Sequence, residues 1–298
     1  MKLNSAALLL TLSAIIWGAT APIMKLALQE IPVFSLAFLR MFFASAILGT
    51  LIFKSLKIQK ADYKTFLYCA LTGVTLNLTF FFFGIKLTQA ILAAFLIASI
   101  PVFTMIGASI YLKEKPTKRL LFSSLVALLG VVIIVGKFDG ELKPLELLGN
   151  FLLLISTLVW VAHEIIAKKL LKTYDGSVVA FYSMAIGSAT FFPLFVIEFF
   201  ANPSWYLHMS GKGILGLLYG IFFASLAAYW AWQKGLKMMP AGNAAFFFYL
   251  DPVSGAILAM VLLGEKLTPQ LVVGGAFIAA AVFLAEQKRK NHPLHKRA

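Results

Sequence analysis

The chain has 298 residues, 61% of them hydrophobic and 13% charged, with a formal net charge of +14. Soluble domains carry about 25% charged residues, so a water-soluble enzyme or binding domain is excluded as the main body of the protein. The single cysteine, Cys69, rules out an intrachain disulfide and is silent on redox compartment.

A bilayer crossing takes roughly 20 mainly apolar residues. Ten such stretches are predicted, over 5–27, 33–53, 65–85, 89–111, 119–136, 147–167, 178–199, 213–233, 241–263 and 268–286. The first follows Lys2 but stays apolar up to Lys25, longer than a secretory signal core, and reads as a retained span. Connections are short, which leaves no room for a soluble domain, and 287–298 forms a basic tail.

Polar residues within these spans are few, and each costs free energy on insertion. In span one, Trp17 either packs or lines a cavity. Arg40 in span two lies about 12 Å along the helix from its near end, at about 1.5 Å per residue; it either binds an anionic substrate group or reaches the interface by snorkelling. Asn77 in span three serves either a cavity or a helix–helix contact. Pro101 in span four frees the carbonyl of Ile97.

Span six carries His163 and Glu164, with Lys168 one turn beyond Glu164 and placed to neutralise it. His163 titrates near physiological pH and is a proton-transfer candidate, as is Glu164. Tyr182 in span seven, Tyr229 in span eight and Tyr249 in span nine either pack or stack on an organic substrate. Trp232, near the end of span eight, reads as an interfacial anchor. The pair Gly216 and Gly220 permits close helix approach. Asp251 in span nine adjoins Pro252, whose missing amide proton leaves the Phe248 carbonyl unpaired. A broken helix of this kind can present a carboxylate to a cavity, where it binds a substrate amine or a proton.

The chain is duplicated. The stretch SIPVFTMIGASIYLKEKPT at 99–117 returns as LDPVSGAILAMVLLGEKLT at 250–268, and IIWGATAPIMKLAL at 15–28 returns as LVWVAHEIIAKKLL at 158–171. The two units, 5–136 and 147–286, hold five predicted spans each. An odd number makes the second unit enter the membrane from the opposite side, so the repeats are predicted to be inverted, an architecture of many secondary carriers. Of the 26 Lys and Arg residues, 19 fall on the side of the N-terminus and six on the other, with Arg40 inside a span. The excess of Lys and Arg on cytoplasmic loops then puts both termini inside. This distribution explains the positive charge without nucleic acid.

With WGA at 17–19, LR at 39–40 and the paired PVF…KEK and DPV…LGEKLT endings, the chain resembles the EamA-type drug/metabolite transporter superfamily over about 5–286. The resemblance implies an all-α, ten-helix carrier of small metabolites, typically an exporter of amino acids or related compounds, in a bacterial or archaeal inner membrane. The family often has Glu in place of Asp251. The substrate-binding candidates are Asp251, Asn77, Arg40, Trp17, Tyr182, Tyr229 and Tyr249; the proton candidates are Asp251, His163 and Glu164; the helix breaks are Pro101 and Pro252. No phosphate-binding loop or metal-ligand cluster is present in the sequence, so neither a cofactor nor ATP hydrolysis is expected. The partners expected are a small-molecule substrate and the lipid bilayer, with a homodimer open. Phosphorylated-sugar exchange is the alternative transport reading; a channel, a lipid-translocating protein and a membrane enzyme stand behind it.

Overall fold

The computed structural model describes residues 2–111, 118–135 and 143–286. All regular secondary structure among them is helical. Ten helices follow in order: α1 Lys2–Ala27, α2 Val33–Ile52, α3 Lys60–Leu87, α4 Ala90–Tyr111, α5 Lys118–Val135, α6 Pro144–Leu170, α7 Gly176–Ala201, α8 Gly211–Met238, α9 Ala241–Leu263 and α10 Pro269–Glu286. Eight of these, α1 to α4 and α6 to α9, are long and apolar enough to cross a bilayer. α5 and α10 have 18 residues each and pack on one another. The KEK ending at 113–115 and the predicted basic tail lie outside the described residues.

Large apolar side chains such as Leu8, Ile197, Phe200 and Val261 stand exposed on the bundle surface. Hydrocarbon is the solvent that suits them, because every backbone group within a helix is already bonded internally. Inside, α1 packs on α8 and α9, α6 packs on α3 and α4, and α2 lies against α7.

Four helices, two in each repeat, are irregular at matching places. α3 contains a π-helical stretch at Leu71–Leu76, and α8 contains one at Tyr219–Ala227. α4 is interrupted just before Pro101, where the amides of Val102 and Phe103 both reach back to the carbonyl of Ser99. α9 tightens to a 3-10 helix over Phe246–Leu250 and resumes as α-helix at Asp251, with Pro252 in its first turn.

Four acidic side chains are spent on helix N-termini, where free amides attract negative charge. Glu198 at the end of α7 accepts from the amides of Phe34 and Ser35 at 3.1 and 2.7 Å, fastening α2. Glu265 accepts from the amides of Ala90 and Ile91 at 2.9 and 2.8 Å and from Lys25 Nζ at 2.9 Å, fastening α4 to the end of α1. Gly264 makes this reach available: its left-handed φ of 65° ends α9 and turns Glu265 back toward α4.

Glu30 accepts from the amide and hydroxyl of Ser210 just before α8, and both bonds hold its carboxyl below the ordinary carboxylate range. Asp175 caps α7 through the amide of Ser177. Burial pushes its carboxyl up, but Lys234 and Ser177 outweigh that and the net shift is downward. Asp62 accepts from the Tyr174 hydroxyl, and Glu146 pairs with Lys143.

Two sequence expectations fail at the opposite end of the bundle from Lys25. Lys168 does not neutralise Glu164; its ammonium donates to the carbonyls of Leu236 and Met239. A cation at a helix C-terminus answers the unpaired carbonyls there, and that use of Lys168 wins over the one-turn pairing. Trp232 is no interfacial anchor either. It is fully buried, with its ring 4.3 Å from that of Phe248 and 5.4 Å from that of Trp17. Position along a span fixes depth but not the face a side chain takes, and Trp232 takes the inner face.

Candidate functional site

α1 to α4 and α6, α8 and α9 converge on a cavity of about 80 Å3. At roughly 10–15 Å3 per water, that is room for several waters or one small solute. Trp17 and Thr20 reach it from α1, Arg40 from α2, Asn77 and Phe81 from α3, Ile97 and Ile100 from α4, Ser156, Thr157 and Trp160 from α6, Tyr229 from α8, and Phe248 and Asp251 from α9. Both repeats therefore contribute walls.

Asp251 is completely buried, and neither carboxylate oxygen has a hydrogen-bond partner. Its amide donates to the Phe248 carbonyl, so that carbonyl is not left open as the neighbouring proline suggested. The 3-10 turn ahead of Pro252 shortens the repeat and restores the bond. Gly18 sets the distance between α1 and this break: a Cβ there would stand 2.8 Å from the Asp251 carbonyl oxygen and 2.9 Å from its Cα. The Gly in WGA is thus a requirement of close backbone approach.

Arg40 is 1% exposed. It does not snorkel; its Nε donates to Ser225 Oγ at 2.8 Å, and its guanidinium carbon lies 5.7 Å from the centre of the Phe82 ring. Nη1 has no partner. Gly216 brings α8 close against Ala27 of α1, whereas a Cβ at Gly220 would meet Arg40 and Met24 only at an ordinary contact distance of 3.6 Å. Asn77 combines both roles considered for it, because it lines the cavity while its amide nitrogen donates to Ser156 O and Oγ at 3.0 Å.

The two π-helical stretches supply backbone acceptors to side chains from the other repeat. Trp17 Nε1 donates to Ala224 O at 2.9 Å, and the Tyr229 hydroxyl donates to Gly73 O at 2.7 Å. Widening an α-helix by one residue per turn displaces carbonyls from the regular ladder, and π-helical insertions of this kind are frequent at functional sites. The aromatic wall forms one cluster, with Trp17 perpendicular to Trp160 at 5.0 Å and stacked on Phe248 at 5.9 Å.

The remaining predicted residues lie off the cavity wall. His163 is fully buried, with Nδ1 2.9 Å from the Cys69 carbonyl and Nε2 3.0 Å from the Gln233 amide nitrogen. These partners assign the proton to Nδ1, which donates to the carbonyl while Nε2 accepts from the amide. Gly73 makes space for the ring; a Cβ there would overlap it. Glu164 accepts from Thr104 Oγ1 at 2.7 Å. The Tyr182 hydroxyl donates to Leu56 O, and Tyr249 packs on Phe246. Pro101 stands next to the cavity residue Ile100.

Sequence reasoning passed over Thr20, Ser156 and Thr157 because hydroxyls are common in spans. It also left Trp160 out of the site, although its alignment with Trp17 in the duplicated segment was the signal.

The model of the EamA-like transporter family matches residues 4–136 and again 147–286. The chain belongs to the EamA-like transporter family. This transporter is 30% identical over 286 residues to an uncharacterised transporter of Archaeoglobus fulgidus, with 95% of this chain and 97% of the relative aligned. It is 27% identical to the uncharacterised transporter YetK of Bacillus subtilis, covering 92% and 84% of the two chains. A Streptantibioticus cattleyicolor protein described as a "probable terminal-alkyne amino-acid exporter" is 26% identical over 97% of this chain and 95% of its own. A solved crystal structure shares the fold with a TM-score of 0.68 at 16% identity, covering 95% of this chain and 96% of that one. Family and relatives are transporters, not enzymes, and the apolar helices make this one an integral membrane protein.

Proposed function

We propose that this EamA-like transporter is a secondary carrier that exports amino acids or closely related zwitterions by alternating access. One observation carries the reading. Arg40 and Asp251, of opposite sign and each with an unpartnered polar atom, line the same small aromatic cavity. No ion pair joins them among the described residues.

A buried charge is costly until a partner arrives. An α-amino acid brings both partners at once, an ammonium for Asp251 and a carboxylate for Arg40. Trp17, Trp160 and Phe248 then surround its side chain. The Streptantibioticus relative, described as a "probable terminal-alkyne amino-acid exporter", supports the substrate class. A sugar phosphate carries multiple negative charge and meets Asp251 as repulsion.

Alternating access follows from a ten-span, inverted arrangement of the two repeats. The reciprocal packing supports it: α1 meets α8 and α9 as α6 meets α3 and α4. The matched helix irregularities support it too. With the excess of Lys and Arg on the cytoplasmic side, both termini face inward in a bacterial or archaeal plasma membrane.

Counterflow in proteoliposomes tests the substrate class. Amino acids are expected to exchange, and competition is expected to need both the ammonium and the carboxylate of the competitor. Exchange of a sugar phosphate that amino acids fail to inhibit would replace this reading with the phosphorylated-sugar one. Orientation is tested by placing a cysteine at position 60, Lys60→Cys, in a Cys69→Ala background. An impermeant thiol reagent should label it only after the membrane is opened; labelling in intact cells would reverse the topology.

A further inference from the structure

Glu164 is a second buried carboxyl with no charged partner, and the carrier reading gives it no task. It is fully buried on α6, one turn beyond the cavity residue Trp160. One oxygen accepts from Thr104 and the other, Oε1, has no hydrogen-bond partner. The indoles of Trp160 and Trp232 interact with it electrostatically, yet neither N–H makes a hydrogen bond of ordinary geometry to it. Among acidic residues with described side chains, Glu164 and Asp251 are the two fully buried ones, and neither has a cation or a helix amide as partner; Asp62 meets the Tyr174 hydroxyl, and the others cap helices or pair with lysine.

Among the described residues, no neighbouring helix supplies a counter-charge. On α6 itself, His163 commits both ring nitrogens to Cys69 and Gln233, and Lys168 serves the end of α8. α4 carries no ionisable side chain except Tyr111. α8 offers Trp232 and Tyr229, and its Lys234 and Lys237 bond Asp175 and the Tyr174 carbonyl. α9 contributes only Tyr249 and Asp251 as ionisable groups, and Asp251 faces the cavity. α3 contributes Cys69, which contacts His163 and Ser183.

The duplication provides an internal control on a purely structural role. In the alignment of the repeats, Glu164 falls on Ala21 and Thr104 on Gly255. α1 and α9 pack together as α6 and α4 do, with Gly255 against the backbone of Gly18, so the fold builds the corresponding crossing with neither a carboxyl nor a hydroxyl at these two positions. The carboxyl and the hydroxyl are therefore additions to a crossing that does not need them.

We propose that Glu164, with Thr104, is a coupling-cation site: its carboxylate takes one monovalent cation, H+ or Na+, during the transport cycle. The proposal rests on the carrier reading. Its first test does not depend on transport. In purified protein, the tryptophan fluorescence of the flanking Trp160 and Trp232 is followed as pH is varied, and as NaCl replaces choline chloride at constant pH. A saturable change in one series, lost in Glu164→Gln and shifted in midpoint by Thr104→Val, is expected; the series that responds identifies the ion.

A change that persists in Glu164→Gln, no change in the wild type, or no shift in Thr104→Val overturns the proposal. Glu164→Asp, which keeps the carboxyl, reports on the site if the Gln variant fails to fold. In liposomes, Glu164→Gln should lose accumulation driven by that ion's gradient while still exchanging substrate. Equal loss of both would assign Glu164 to substrate binding and overturn coupling; failure of wild-type exchange would instead strike the carrier reading alone.

Discussion

Asp251→Asn is expected to lower the initial rate of substrate counterflow at least about thirtyfold, since removing one partner of a buried charge pair costs about 2–5 kcal/mol. Asparagine preserves the shape of the side chain and removes its charge. No side chain or amide among the described residues partners that charge, so its loss gives up no ion pair within the protein, and the thermal unfolding midpoint should hold or rise. Transport and stability thus move in different directions, which separates a substrate contact from a structural one. Asp251→Glu retains a carboxyl and should keep part of the activity, with the longer side chain intruding on a small cavity. Near-normal counterflow by the Asn variant would take Asp251 out of the site and leave Arg40, Asn77 and the aromatic cluster to carry it.

Gly18→Ala is expected to damage the same site from behind. A Cβ at this position would stand 2.0 Å from Ser254 Oγ, and it would also press on the backbone of Asp251. The serine can rotate away; the backbone cannot. Overpacking of this kind costs about 1–3 kcal/mol, visible as a lower unfolding midpoint, and a shift of the α9 break should cut counterflow by about tenfold, equivalent to about 1.4 kcal/mol. Adding Ser254→Ala should recover only part of the loss. Gly211→Ala, where the new methyl group would meet nothing within 4 Å, is the control for handling and expression. Wild-type stability and transport in Gly18→Ala would show that α1 and α9 separate freely at this crossing.

Much of this architecture was legible because a bilayer leaves the sequence few choices. A polar residue in an apolar run is conspicuous, which is why Arg40, Asn77 and Asp251 could be singled out, and the structure places all three on one cavity. The repeat alignment carried the order of helices from the first unit to the second.

What stayed hidden was direction around each helix. Tyr182 and Tyr249 look like Tyr229 in sequence, but their hydroxyls and rings turn to Leu56 and Phe246. The partner of Glu164 was invisible because Thr104 lies in the other repeat, 60 residues away. The nearer Lys168 offered a plausible local pairing that the end of α8 claimed instead. The π-helical stretches had no signature, since their residues are ordinary helix formers and their geometry depends on what packs against them.

Those stretches make the two partners of each crossing unequal in what each must preserve chemically. Across the interface, Trp17 and Tyr229 offer side-chain donors, while Ala224 and Gly73 answer with main-chain oxygens. Every residue type carries a main-chain oxygen. On the accepting side the identity of the side chain is therefore immaterial to the bond, and only its bulk is policed; on the donating side a single replacement by phenylalanine deletes the contact. Variation can thus accumulate along one partner of each crossing without loosening the carrier, whereas the opposite partner is held to an indole or a phenol.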